Sequence, residues 1–191
     1  MLTVLVIDES RTRAGEICAG LALAGYQVAA ILADAANLTS EVEKLKPDVI
    51  LIDTDSPSRD TLENLAAMNR NMPRPVVIFT QEDGRETIRD AVKAGVSAYI
   101  VDGLDPKRIK PIVDVARVRF EDNLAMRQEL EEISKRLSDR KLVDKAKGVL
   151  MKARGLDEDA AYHAMRKLAM ERGQTMAKVA RDVIDMARVL L

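Results

Sequence analysis

Over the first hundred residues, short apolar runs alternate with longer stretches of mixed polarity. The runs fall at residues 3–7, 28–32, 49–52, 76–79 and 98–101. Several are rich in Val and Ile with few polar breaks, the pattern of strands covered on both faces. Between them lie helical stretches, such as 12–23 closed by Gly25 and 85–94 closed by Gly95. A glycine just past a helix is a stop signal, because it takes the left-handed conformation without a Cβ penalty. Five strand–helix units of this length predict an α/β domain over residues 1–105, a doubly wound, five-stranded parallel sheet. In such a sheet, functional groups gather at the carboxyl ends of the strands.

After Val101 the pattern changes to helix alone. Gly103, Asp105 and Pro106 mark a turn and a helix start. Ile109, Ala116, Asn123, Leu130 and Leu137 follow seven apart, and Ile112, Arg119, Met126 and Ile133 fill the position three further on. That is an a/d heptad seam, flanked by Val113 and Phe120. Its first turns pack on the sheet, but residues 1–105 cannot cover a helix reaching Leu137. The seam therefore predicts a coiled-coil dimerisation helix over residues 106–138, joining two copies through Ile109, Ile112, Ala116, Asn123, Met126, Leu130, Ile133 and Leu137. Asn123 at an a position favours two strands at some cost in stability, whereas Arg119 at a d position is a poor fit.

Three shorter helices make up residues 139–191. The first runs to Arg154 and ends at Gly155; Asp157 caps the second, which ends at Gly173; Thr175 caps the third. Their apolar stripes, centred on Ala146, Met165 and Val183, suffice for a small all-α core. The methionines of this segment read as filler of that core.

Composition adds a compartment and a charge asymmetry. The lone Cys18 excludes an internal disulfide, no apolar stretch approaches bilayer length, and Met1 is followed directly by a strand-like run. A cytoplasmic protein without a membrane segment is the expectation. The net charge of −1 over 191 residues conceals two halves of opposite sign. Residues 139–191 carry 12 Lys/Arg against 8 Asp/Glu, and the remainder carries 18 against 23. The basic tail is the better candidate for touching a polyanion.

Asp8 and Glu9 end the first strand, and Asp53 ends the third. Three carboxylates converging at one sheet edge repel unless a cation sits among them, and Mg²⁺ is the natural candidate. Thr80, closing the fourth strand, is placed to hydrogen-bond a phosphoryl oxygen. The segments VLVIDES, DVILIDTDSP, VVIFT and AGVSAYIVDG around these residues resemble the receiver domain of two-component response regulators. The resemblance implies that Asp8 and Glu9 are the acidic pair, Asp53 the phosphoacceptor, and Asp55 the residue whose carbonyl completes the metal shell. Thr80 and Tyr99 match the switch pair. One position departs: where receivers carry a Lys, this chain has Asp102. Exchanging a cation for an anion beside an acidic cluster removes the phosphate clamp and adds repulsion. Asp53 is then an acceptor position that can go unused.

In the tail, Arg140, Lys147 and Arg154 share one side of a helix, and Lys141, Lys145 and Lys152 form a neighbouring row. Arg166 and Lys167 extend the basic surface, and Tyr162, the only aromatic of the region, is placed to stack on an unpaired base. Gly148 in mid-helix costs about 1 kcal/mol against Ala, so it invites close approach by RNA or by another helix. The AKGVLM segment (Ala146 to Met151), Glu158, Ala161-Tyr162 and the RKLAM run (166–170) resemble the ANTAR domain of antitermination regulators. Receiver, helical stalk and ANTAR in that order resemble the AmiR/NasT family, NasT-like in the AYIVDGL segment. The resemblance implies a non-enzymatic, RNA-binding response regulator that grips tandem hairpins in leader transcripts and prevents termination. It also implies nitrate or nitrite assimilation as the pathway, and control by a nitrate/nitrite-sensing protein partner or a sensor kinase. The alternative is a DNA-binding two-component transcription factor controlled by Asp53 phosphorylation, although the last helix is short of base-reading side chains.

Overall fold

A computed structural model describes residues 1–101 and 105–190 of the chain. Two compact units divide it, Met1–Leu124 and Ala125–Leu191.

The first unit is built on five parallel strands: β1 (Thr3–Asp8), β2 (Gln27–Leu32), β3 (Val49–Asp53), β4 (Val76–Thr80) and β5 (Ala98–Val101), in the order β2-β1-β3-β4-β5. This is the flavodoxin-like, doubly wound arrangement. β3 and β4 are buried from end to end because helices cover both of their faces. Alternation along the strands divides the core in two. Leu5, Ile7, Ile50, Ile52 and Ile78 pack against α2 (Leu38–Leu45), α3 (Arg59–Asn71) and α4 (Arg85–Lys93) through Val42, Leu65, Met68 and Ala91. Val4, Val6, Leu51, Val77 and Phe79 face the other way, against Ile17 and Leu21 of α1 (Arg11–Leu23).

That second core also takes in the start of α5 (Ile109–Arg154) through Ile109, Val113 and Ala116, none of which is exposed. Ile112 packs partly against the same cluster. Burying an aliphatic side chain such as Ile109 is worth about 1.5–3 kcal/mol, so these turns are fixed to the sheet. Tyr26 strengthens the attachment, its hydroxyl lying 3.2 Å from the Asp114 carboxylate. Ile109 and Ala116 are therefore core residues of the first unit and not part of a dimer seam, and Ile112 lies at the core's edge. Their heptad spacing continues along the same stripe of the helix. Further along the helix the apolar positions are uncovered: Met126, Leu130, Ile133 and Leu137 are 53–63% exposed.

The break expected at residue 139 does not occur, and α5 runs unbroken for 46 residues. Neither Gly nor Pro interrupts residues 112–147, and Ser138-Asp139, which resembles a helix start, takes helical backbone instead. The end of α5, α6 (Glu158–Arg172) and α7 (Met176–Leu190) enclose a core of Ala146, Met165, Ala169, Val179, Ala180 and Ile184. Asp157 accepts the Ala160 amide at 2.7 Å to start α6, and Gly173 ends it with φ 60°, where a side chain would be strained. The methionines divide: Met165 is buried, but Met151, Met170 and Met186 are 39%, 70% and 60% exposed, so those three are not core filler.

Candidate functional site

The acidic site forms at the carboxyl edge of β1 and β3, where Asp8 and Asp53 are direct neighbours in the sheet. Strand pairing buries both carboxylates, with side chains 0% and 11% exposed. Asp8 accepts the Ser10 amide at 2.7 Å through one oxygen, and its other oxygen is buried without a partner. Ser10 in turn caps α1 by accepting the Arg13 amide. That cap fixes the helix start, and with it the place of Arg13, three residues into the helix. The Arg13 guanidinium reaches over the carboxylates. Its Nε lies 3.7 Å from Asp8 and 3.8 Å from Asp53, and Nη1 is 2.6 Å from the Asp55 carboxylate.

The charges respond accordingly. The hydrogen bond that Arg13 donates to the Asp55 carboxylate raises the Arg13 pKa, against the opposing pull of burial. Burial, then the Asp8 charge, pushes Asp53 above the ordinary aspartate value, while Arg13 draws it back and Asp55 adds to the rise. Glu9 takes no part. It is exposed and lines a shallow pocket with Asp34, Ser58, Asp60 and Asn64, because consecutive residues leaving a strand point to different sides. Of the expected set, Asp8, Asp53 and Asp55 gather around Arg13, and Glu9 stands apart. Among the described residues no three acidic, His or Cys side chains converge as metal donors. With a guanidinium already between its carboxylates, the site as placed does not fit a divalent ion.

The switch residues are tied inward. Thr80 is 1% exposed; its hydroxyl donates to the Asp55 carbonyl at 2.8 Å and accepts the Glu82 amide at 3.1 Å. The carbonyl expected to complete a metal shell is therefore already hydrogen-bonded. Tyr99, half-buried, donates its hydroxyl to the Glu82 carbonyl at 2.9 Å. Asp102 lies outside the described residues. Sequence reasoning missed Arg13 because a basic residue in the motif's wake looks like any surface charge. A signal was available: a cation in the first turn of a helix opposes the macrodipole, and α1 has no acidic residue there to offset it.

The second candidate surface lies on the C-terminal helices. Arg140, Lys145, Lys152, Arg154 and Arg166 are exposed, and among the described residues no carboxylate lies within 4.0 Å of them. Lys167 is exposed, 3.9 Å from Glu171. Lys147 differs. Its side chain is only 15% exposed and bridges Asp144 at 2.8 Å and Glu158 at 2.7 Å, which raises its pKa, the Asp144 bond first. It joins α5 to α6 and is not a free phosphate contact. Gly148 lies on the face shared by Lys145 and Lys152, and a Cβ built on it meets nothing within 4 Å. The packing of another part of this chain is thereby excluded as its reason among the described residues. Tyr162 is 40% exposed, edge-on to His163 and one turn from Arg166.

Sheet order, paired aspartates at adjacent strand ends and a buried hydroxyl closing β4 define a receiver-type signalling domain followed by a helical output domain. The model of the response regulator receiver domain matches residues 4–114, and that of the ANTAR domain matches residues 131–184. The chain belongs to the family of response regulators that join a receiver domain to an ANTAR domain. It is similar to the transcriptional regulatory protein PdtaR of Mycobacterium tuberculosis, 29% identical over 182 residues that cover 95% of this chain and 89% of that one. A nitrate regulatory protein of Klebsiella oxytoca is 33% identical over 75 residues, 39% of this chain and 19% of that protein. Among solved structures, a CheY-like receiver domain protein from Methanospirillum hungatei shares the fold with a TM-score of 0.56 at 19% identity, covering 64% of this chain and 98% of that one.

Proposed function

We propose that the chain is an RNA-binding transcription antitermination regulator that acts as a dimer on paired hairpins of leader transcripts. The observation that carries the reading is a set of exposed cations on α5 and α6 with no carboxylate within 4.0 Å among the described residues: Arg140, Lys145, Lys152, Arg154 and Arg166. Such groups neutralise phosphates and release counterions, giving an affinity that falls as salt rises. Gly148, open on the same helix face as Lys145 and Lys152, lets a sugar-phosphate chain approach the backbone closely. Tyr162 supplies an exposed ring for stacking on a loop base.

Met126, Leu130, Ile133 and Leu137, exposed at heptad spacing, supply the seam that pairs two copies. Two RNA-binding surfaces on one dimer would hold two hairpins with avidity beyond either alone. Holding them keeps a terminator stem from forming. Nitrate or nitrite assimilation genes are the proposed targets, supported by the partial likeness to the Klebsiella oxytoca protein. Control would come from a nitrate/nitrite-sensing partner or a sensor kinase, in the cytoplasm; among the described residues no helix is long and apolar enough to cross a membrane.

The test is ultraviolet crosslinking of the protein in cells, followed by sequencing of the attached RNA. Leader segments with two adjacent hairpins ahead of a terminator should dominate. Recovery of no such leader, or enrichment of genomic DNA in a parallel arm instead, would remove the antiterminator reading.

A further inference from the structure

The acidic site of the first unit carries its own cation. We propose that Arg13 is a built-in counter-ion for Asp8, Asp53 and Asp55, so that part of the site's negative charge is offset from within and a divalent ion binds only by expelling the guanidinium. Four observations support this. The Arg13 Nε stands almost equidistant from Asp8 and Asp53, at 3.7 and 3.8 Å, and Nη1 is fastened to Asp55 at 2.6 Å. One guanidinium thus answers three carboxylates, two of them with side chains hardly exposed. Second, Glu9, the natural extra donor for a metal, faces solvent and a different pocket. Third, the Asp55 carbonyl accepts the Thr80 hydroxyl.

The fourth observation is what remains unmet. One Asp8 oxygen and the Arg13 Nε are both buried without a hydrogen-bond partner. The guanidinium therefore compensates charge without saturating the site. A partly exposed guanidinium set over two buried carboxylates, and only partly hydrogen-bonded, is held chiefly by electrostatics. Such a latch is displaceable. Its release would free Asp55 and uncover Asp8 and Asp53 together, since all three depend on the same side chain. The sequence agrees: the position that the receiver resemblance assigns to a Lys is Asp102.

The experiment uses the full chain and Mg²⁺ itself, measured by isothermal titration calorimetry in wild type, Arg13→Gln and Arg13→Lys. Removing the charge should tighten Mg²⁺ binding by about tenfold or more, because the ion no longer meets a guanidinium a few ångströms away. Arg13→Lys keeps the charge and should bind as weakly as wild type. Melting provides a second readout. Arg13→Gln should melt below wild type in chelator and recover on adding MgCl₂, while wild type should not respond. Wild-type affinity equal to that of Arg13→Gln would overturn the proposal, as would an Arg13→Gln melting temperature indifferent to Mg²⁺.

Discussion

Gly148 sits within a 46-residue helix where alanine would be the better choice, and the space beside it is open. Gly148→Ala should therefore raise the stability of the free protein by about 0.5–1 kcal/mol, read from thermal or urea unfolding. Under the proposed function the same change should weaken hairpin binding, because a methyl group stands where the RNA backbone approaches. Unchanged affinity would leave the glycine without a role in recognition. At the other end of the chain, Asp48 accepts the Thr3 amide at 2.7 Å and the Thr3 hydroxyl at 2.9 Å. These bonds, the backbone one first, hold its carboxyl below the ordinary aspartate value. A folded value below the unfolded one means that ionised Asp48 stabilises the fold above about pH 4 and loses that contribution as the pH falls through the lowered value. Asp53 has the opposite sign: its raised folded value favours the fold at low pH and is lost as the pH rises through it. Asp48→Asn should flatten the acid side of a urea-midpoint profile; an unaltered slope below pH 4 would contradict the assignment. Asp8, Asp53 and Thr80 were legible as a group because strand ends are legible. Arg13 left a fainter mark, a cation in the first turn of α1, because its place over the carboxylates follows from where the Ser10 cap starts that helix.

At the scale of elements, α5 changes its surroundings along its length. Ile109 and Ala116 are buried in the first unit's core, whereas Leu130 and Ile133 are exposed. Ile109→Ala should cost about 2–5 kcal/mol through transfer and cavity terms, seen as earlier unfolding of the receiver domain. Leu130→Asp with Ile133→Asp should leave far-UV circular dichroism intact and halve the mass found by light scattering. A dimer that persists in this double variant would exclude the seam. The strands were readable almost to the residue, because buried Val and Ile runs between glycine stops leave little choice. The helical caps Asp157 and Thr175 were equally plain, each accepting a backbone amide at the turn it begins. The continuity of α5 through Asp139 was not readable. A serine and an aspartate in sequence look like a cap, but no Gly or Pro nearby stops the helix. Lys147 was misread for a related reason. Its row on the helix was right, but the turn ending at Glu158 brings a carboxylate to it from the next helix.

For the whole molecule, the first part is acidic and carries the carboxylate site with its own cation, and the tail is basic. Lys145, Lys152 and Arg166 are better probes of recognition than Lys147, whose loss would also cut a bridge between α5 and α6. Fluorescence anisotropy of a labelled two-hairpin leader RNA, recovered by the crosslinking described above, should be measured across a series of salt concentrations. Relative to wild type, the triple variant Lys145→Ala, Lys152→Ala, Arg166→Ala should bind more weakly, with a log–log salt slope shallower by about 2–3. The same affinity and the same slope in both proteins would contradict the claim that these helices meet the phosphates of a folded transcript.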